Sequence, residues 1–368
     1  MGQTFVADEL IETACRTTGL DRFDDDSFRE GLDVLTQDAN RTPRSEDAFA
    51  RFRAGILNFL SIRLKVADYH HKNPEIATRP IERPVFVFGM PRTGTTLTSN
   101  LLASDPARRS MLTWEMNDPV PPPRAGHLYD DPRALARLDE EARARAADPA
   151  AGRFYRASAI YPTEDVFPMA SDFKTLFWES HGPLPAYGEW LLGTDVTSAY
   201  AYHKRFLQLL QSEAPGVWNL KMPSHALYLE TLLALYPDAR LVWTHRDPFT
   251  AIGSLCSLIG RTHVAFLGHT DFDWIGRNYP AQAAEHLNRA MASRDAIGQD
   301  RIYDLHYADM IRDPVGSMRR LYDWLGDDFT QEAEAGMQDW LADNPQGKFG
   351  KQEYQLAQYG LTKEAIEP

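Results

Sequence analysis

The chain is poor in cysteine, in basic runs and in uninterrupted apolar runs, and each shortage excludes a class of protein. Two cysteines, Cys15 and Cys256, are too far apart for a disulfide framework or a zinc cluster, so we expect a reducing compartment, no metal site and a cytoplasmic protein. The net charge is −13 with no basic run, which argues against nucleic-acid binding. No apolar run approaches the roughly 18 residues of a membrane span, and the first residues lack a signal-peptide pattern.

What the chain does have is a glycine-bounded loop after an apolar run. Residues 85–97 read VFVFGMPRTGTTL, in which Gly89 and Gly94 allow backbone N–H groups to converge on an anion. A helix beginning near Thr95 adds the positive end of its dipole, and Arg92 supplies a permanent cation. Since Thr95 occupies the position of the lysine in an ATP-binding loop, the pattern favours an anion other than a triphosphate.

Four short apolar runs predict strands, and each precedes a helical segment. The predicted strands are Val85–Phe88, Val217–Leu220, Leu241–Thr244 and Ile302–Leu305, and the helical segments are 95–104, 224–236, 248–260 and 314–325. This alternation predicts an α/β fold: a P-loop-type three-layer α/β/α core with a central parallel sheet, whose ligands bind at the carboxyl ends of the strands.

Three segments are expected along the chain. Helical spacing of apolar residues predicts an N-terminal helical appendage over 1–80. The α/β core occupies 81–345 and includes a large, mostly helical insertion at 105–216, which is rich in aromatic residues. The C-terminal segment 346–368 is expected to pack near the cofactor site.

Two further strand ends carry cationic residues. Arg246 follows the third predicted strand, and Ser254 lies eight residues later, so a guanidinium and a hydroxyl could converge on a phosphate. Lys221 directly follows another predicted buried strand. Because the carboxyl ends of parallel strands share one edge of a sheet, these groups are expected near the glycine loop.

These motifs together resemble the sulfotransferases that use PAPS (3′-phosphoadenosine 5′-phosphosulfate), in particular a bacterial branch. Pro91-Arg-Thr-Gly-Thr-Thr96 resembles their 5′-phosphosulfate loop, and Arg246 with Ser254 is similar to their 3′-phosphate site. The segment beginning Leu305-His-Tyr307 resembles one whose tyrosine lies near the adenine. The resemblance covers roughly residues 80–345.

The resemblance implies PAPS as donor and PAP as product, with metal-independent, in-line transfer to a hydroxyl of a small phenolic, lipid-like or polyketide-like acceptor. The cofactor-binding residues that it implies are Arg92, Thr93, Gly94, Thr95, Thr96, Arg246, Ser254, Tyr307 and Lys348. Lys348 belongs to a loose counterpart of the family's C-terminal Arg-Lys-Gly segment. The sequence leaves the oligomeric state and the identity of the acceptor open.

The catalytic assignment leaves alternatives. Lys221 is the expected cation at the bridging oxygen. The family's catalytic histidine would fall on Pro223, so the base is expected to be either Glu115, which follows Trp114, or His225, with His181 a third candidate. Two other functions remain open at this point, a P-loop small-molecule kinase and a non-catalytic PAP-binding module.

Overall fold

A computed structural model describes residues 3–147, 158–345 and 356–366, and its centre is a five-stranded parallel sheet. In chain order the strands are β1 Val85–Gly89, β2 Arg108–Ser110, β3 Val217–Lys221, β4 Arg240–His245 and β5 Ile302–His306. Their order across the sheet is β2-β3-β1-β4-β5, with every neighbouring pair parallel. The predicted parallel α/β sheet is confirmed, and β1 lies at its centre.

The central strand is apolar along its whole length because helices cover both faces of the sheet. All five residues of β1 are buried. Phe86 and Phe88 contribute to the large core on one face, while Val85 and Val87 contribute to a smaller core on the other. This alternation of side chains produces the three layers that the sequence predicted.

Strand β2 was missed by the sequence reading. It consists of Arg108, Arg109 and Ser110, a polar run with no apolar signal, and it pairs with β3 at the edge of the sheet. Its arginines are nevertheless buried, since Arg108 contacts Asp327 and Asn219 and Arg109 pairs with Glu115. Charge pairing replaces apolar packing here, so a search for apolar runs could not find this strand.

Helices surround the sheet. Those before the insertion are α1 Ala7–Thr18, α2 Ser27–Ala39, α3 Glu46–Lys72 and α4 Thr95–Ala103. The insertion carries α5 Thr113–Asn117, α6 Pro132–Ala147, α7 Val166–Ala170, α8 Pro185–Gly193 and α9 Thr197–Leu210. The remainder are α10 Leu229–Leu235, α11 Pro248–Leu267, α12 Phe272–Ile297, α13 Tyr307–Arg312, α14 Pro314–Leu325, α15 Gln331–Asp343 and α16 Lys363–Ile366.

The N-terminal helices share the main apolar core with the sheet. Leu32, Phe52 and Ile56 belong to the same buried cluster as Phe86 and Trp243 of the central strands. Within residues 3–80, α1, α2 and α3 thus pack as part of the α/β body.

Among the helices of the described residues, one has the length and composition needed to cross a bilayer. It is α11, Pro248–Leu267, and 56% of its most apolar window is buried inside the protein. The expectation of no membrane span rested on uninterrupted apolar runs, and polar residues such as Thr250 and Ser254 interrupt this one. Because α11 packs against α12 and α3, its apolar character serves the core.

Candidate active site at the carboxyl end of the sheet

A cavity of about 420 Å³ opens where the carboxyl ends of the central strands meet the insertion. The glycine loop, residues 89–94, forms one wall, with the start of α4. The other walls come from the residues after β3, from the insertion near α7, and from α11 and α12. The site therefore lies at the sheet edge where the sequence placed it.

The glycine loop has the backbone geometry of an anion cradle. Gly89 has φ of 148°, and a Cβ there would lie 2.6 Å from the carbonyl oxygen of Thr244. Gly94 has φ of 107°, and a Cβ there would lie 2.8 Å from the ring of Tyr307. Both positions thus require glycine, one for contact with β4 and one for contact with the tyrosine.

Helix α4 begins at Thr95, immediately after the loop. Its first turn carries no acidic residue, so its N–H groups and dipole keep their positive character toward the cavity. Gly94, Thr95 and Thr96 all line the cavity. Thr93 differs, because its buried hydroxyl bonds the carbonyl of Met90 and the hydroxyl of Thr244, which fastens the loop to β4.

The two predicted phosphate anchors touch each other. Arg92, which has φ of 72° in the loop, donates through Nε to Ser254 Oγ at 3.1 Å. Arg246 donates to the carbonyl oxygen of Arg92 at 3.1 Å, and its guanidinium lies 4.3 Å from the centre of the Tyr307 ring. The structure thus brings these four residues together, although the first and the last of them, Arg92 and Tyr307, are more than 200 positions apart in the sequence.

Lys221 closes β3 and forms an ion pair that the sequence reading did not foresee. Its Nζ lies 2.5 Å from Oε1 of Glu164, and Lys221 is only 2% exposed. The Glu164 side chain keeps 26% of its surface exposed and lines the cavity, so Glu164 is the member of the pair at the cavity surface.

His225 is placed next to this pair, but both of its ring nitrogens are engaged. Nε2 lies 2.9 Å from the Asp165 carboxylate and Nδ1 lies 2.8 Å from the Tyr200 hydroxyl. The carboxylate can only accept, so Nε2 carries the proton and Nδ1 accepts from the tyrosine. Burial lowers the pKa of His225 even though Asp165 opposes the shift, and the residue has no exposed surface. This geometry leaves no lone pair for an acceptor hydroxyl.

Asp165 fixes the position of the residues around the Lys221–Glu164 ion pair. Its backbone N–H donates to the carbonyl of Lys221 at 3.0 Å, and its second carboxylate oxygen lies 3.4 Å from His203 Nε2. Burial alone would raise the pKa of Asp165, but His203 and His225 together hold it well below the usual range. A buried, ionised aspartate thus ties the insertion to the end of β3, one residue after Glu164.

Glu115 lies in a different environment, outside the cavity wall. It is fully buried, pairs with Arg109 and accepts the backbone N–H of Leu112 at 2.7 Å. Its two oxygens therefore fix the turn that follows β2. The structure does not bring Glu115 to the cavity, because the carboxylate is needed to neutralise an arginine in the core.

The two remaining candidates are also accounted for. His181 is buried, its Nδ1 lies 2.8 Å from the carbonyl of Phe177, and its ring packs 3.9 Å from Phe266. Burial lowers its pKa to about 3. Lys348 lies outside the described residues, whereas Tyr359 from the described part of the C-terminal segment packs on α11 and α12.

Glu164 is the residue that the sequence reading missed. It stands in the insertion within Tyr161-Pro-Thr-Glu-Asp-Val-Phe167, 57 positions before Lys221, and has no motif of its own. The available signal was an acidic pair, Glu164-Asp165, inside an otherwise aromatic and apolar stretch. Only the fold shows that the first carboxylate faces the cavity and the second is sealed behind it.

Comparison with known proteins identifies two solved structures with the same fold. Among solved structures, sulfotransferase STF9 from Mycobacterium avium is 42% identical, with a TM-score of 0.92 over 100% of this chain and 95% of that one. Sulfotransferase STF1 from Mycobacterium tuberculosis is 29% identical, with a TM-score of 0.88 over 99% of both chains.

A curated relative and a family profile extend the comparison. Omega-hydroxy-beta-dihydromenaquinone-9 sulfotransferase Stf3 of Mycobacterium bovis is 26% identical over 263 residues. That match covers 66% of this chain and 62% of the relative, so the chain matches about three fifths of the relative's length. The profile of the sulfotransferase family matches residues 84–331, from the first strand to the start of α15. The chain belongs to the sulfotransferase family.

Proposed function

We propose that the protein transfers the sulfuryl group of PAPS to a hydroxyl of a small acceptor and releases PAP. The observation that carries this proposal is the Lys221–Glu164 pair, whose carboxylate member lines the same cavity as the glycine loop and Arg246. A cation, a carboxylate and an anion cradle at one site are the parts that this transfer requires.

The chain's residues fit PAPS. The loop and the start of α4 offer backbone N–H groups for the 5′-phosphosulfate, with Thr95 and Thr96 at the cavity surface. Arg246 and Ser254 are our candidates for the 3′-phosphate, and Tyr307, stacked with Arg246, is our candidate for contact with the adenosine. Arg92 contacts Ser254, so it can serve either phosphate. We also keep Lys348 as a proposed cofactor ligand.

In this mechanism PAPS supplies the sulfuryl group, and the chain supplies charge and a proton acceptor. Glu164 is our proposed base, since its carboxylate lines the cavity and can take the proton of the acceptor hydroxyl. We propose that Lys221, held against Glu164, stabilises negative charge that develops on oxygens at the reacting centre. We propose that Asp165 and His225 position this pair.

The acceptor is proposed to be a hydroxylated molecule with an apolar body. Val166, Phe167, Leu176 and Phe177 of the insertion form an apolar wall beside Glu164. The curated relative acts, by its name, on an omega-hydroxylated menaquinone, which is a lipid-like acceptor. Phenolic and polyketide-like alcohols fit the same wall. Both cysteines are free thiols, in keeping with a cytoplasmic site of action.

The decisive experiment is a mass-spectrometric screen of hydroxylated compounds with purified protein and PAPS. We expect at least one acceptor to gain a sulfuryl group while PAP accumulates, with unchanged rate in EDTA. Parallel reactions with ATP and magnesium test for a kinase. Phosphorylated product would contradict the proposal, and PAP binding without product from any acceptor would favour a non-catalytic module.

A further inference from the structure

Polar groups line the cavity on α12, away from the phosphate loop. Tyr279, Gln282 and His286, which we call the polar stripe, follow one another at helical spacing and all line the cavity. Tyr279 and His286 are two turns apart, or about 10 Å along the helix. The cavity wall formed by α11 is mainly apolar, with Leu255, Leu258 and Ile259 beside Thr262. The stripe is therefore a polar feature in a cavity region whose other walls are mainly apolar.

His286 presents one unused acceptor. It is 1% exposed, and its Nδ1 lies 2.7 Å from the carbonyl oxygen of Gln282. A carbonyl can only accept, so Nδ1 carries the proton and Nε2 carries the lone pair. Within the described part of the chain Nε2 has no hydrogen-bond partner. Burial lowers the pKa of His286 to about 4, so the ring is neutral near pH 7.

Tyr279, at the other end of the stripe, also has a polar atom without a partner among the described residues. It is 3% exposed, and its hydroxyl has no hydrogen-bond partner among the described residues. Burial raises its pKa well above the usual value, so the phenol keeps its proton. Gln282, between the two, donates its amide N–H to Glu179 and is thereby held in place. Leaving a buried polar atom without a partner is unfavourable, which makes a ligand group the natural partner.

We propose that the polar stripe is a specificity site that recognises a second, uncharged polar group on the acceptor. This inference rests on the proposed function and narrows its acceptor class. The group at His286 must donate a hydrogen bond, as a hydroxyl or an amide N–H does, and the group at Tyr279 can be a hydroxyl or a carbonyl. The acceptor is accordingly bifunctional: one hydroxyl reaches Glu164, and a second polar group lies on the stripe.

Anionic groups are excluded from the stripe by the same chemistry. The cations on the described cavity wall, Arg92 and Arg246, belong to the loop end, and the stripe offers only neutral partners. An ionised carboxylate buried there would lose its hydration without a counter-charge, and the carboxyl group of Glu179, which accepts from Gln282, lies beside it. A carboxylate at that position should therefore weaken binding relative to hydrogen.

The test uses matched acceptors that share one skeleton and one reacting hydroxyl. Each skeleton carries hydrogen, hydroxyl or carboxylate at a second position, and that position is moved along the skeleton in steps that together cover about 10 Å, the length of the stripe along α12. We expect kcat/KM of the parent protein to favour the hydroxyl member of at least one skeleton by about 10-fold or more, with the carboxylate member worst.

Variants then assign the preference. His286→Leu and Tyr279→Phe remove the polar atoms, and at least one should bring the hydroxyl-to-hydrogen ratio to within about 2-fold of unity, with unchanged binding of PAP. His263→Leu is the matched control, since His263 is a buried histidine on α11 that does not line the cavity. It should leave the ratio intact.

Binding to the PAP-loaded protein separates this inference from the proposed function. Calorimetric affinities for the same acceptors should show the same preference and the same loss in the variants, even with acceptors that do not turn over. Equal affinities and rates for hydrogen and hydroxyl members, or an unchanged preference in both variants, would overturn the inference while leaving sulfuryl transfer intact. A preference in binding without any sulfated product would instead contradict the proposed function.

Discussion

The ends of β2 and β3 carry two ion pairs whose environments differ. Arg109–Glu115 is sealed, since neither side chain is more than 3% exposed and the carboxylate also holds a backbone turn. Lys221–Glu164 has one sealed member and one that faces the cavity. The comparison shows that a carboxylate near a strand end is a candidate base only when one of its oxygens remains available to a ligand.

The largest expected effect separates these two carboxylates by activity. Glu164→Gln should lower turnover by about 10²–10⁴, the usual worth of a positioned proton transfer, while PAP still stabilises the fold. Glu115→Gln is the matched control, and its turnover per folded molecule should stay near that of the parent. Steady-state rates with a saturating acceptor measure both. Parental turnover in Glu164→Gln would remove Glu164 as the base.

The second expected effect concerns stability, and here Glu115→Gln should be more affected than Glu164→Gln. Glu115→Gln should lower the free energy of unfolding by about 3 kcal/mol or more, because it leaves the Arg109 guanidinium buried without a counter-charge. Glu164→Gln should cost less, since water and ligand reach that side of the pair. Urea denaturation compares the two variants. Equal losses would mean that the two pairs are sealed alike.

The third prediction concerns the other charged part of the cavity. PAP at about 100 times its dissociation constant should stabilise the parent by roughly 2.7 kcal/mol. Arg246→Ala should lose most of that gain, and adenosine 5′-phosphosulfate, which lacks the 3′-phosphate, should bind far more weakly than PAP. Arg312→Ala, which removes an exposed partner of Asp309, serves as control. Equal binding of the two nucleotides would contradict the 3′-phosphate assignment.

The smallest expected effect is the pH dependence of stability that the buried histidines cause. Burial lowers the pKa of His181 to about 3 and of His263 and His286 to about 4. Between these values and about 6.5 each binds a proton only in the unfolded chain, so stability is present above pH 6.5 and falls by about 1.4 kcal/mol per pH unit and residue as pH decreases. Glu179 opposes this trend, because burial raises its pKa to about 7 and its contribution is lost as pH rises.

His263→Leu isolates one of these contributions. The slope of the unfolding free energy against pH, measured by urea denaturation between pH 6.3 and 4.8, should become shallower by about 1.4 kcal/mol per unit. His127→Leu, at an exposed position, should leave the slope unchanged. An unaltered slope in His263→Leu would mean that this imidazole is charged inside the fold.

Local sequence pattern was sufficient to predict the four apolar strands of the central sheet. The four apolar strands were located to within one or two residues, because buried parallel strands must be apolar along their length. The segment 224–236 was less accurate: it is a 3-10 turn at Pro223–Leu227 followed by α10. The polar edge strand β2 carried no such signal and could not be predicted.

The sequence by itself determined the glycine loop, the succession of strands and helices along the chain, and the cationic residues at the strand ends. These features depend on neighbours only a few positions apart. Tertiary structure alone decided which carboxylate faces the cavity. Glu115 is engaged by Arg109, and His225 is engaged by Asp165 and Tyr200. Glu164, which belongs to the insertion, pairs with Lys221. The reason is physical: whether a titratable group is available depends on burial and on partners distant in sequence, and neither can be read from local pattern.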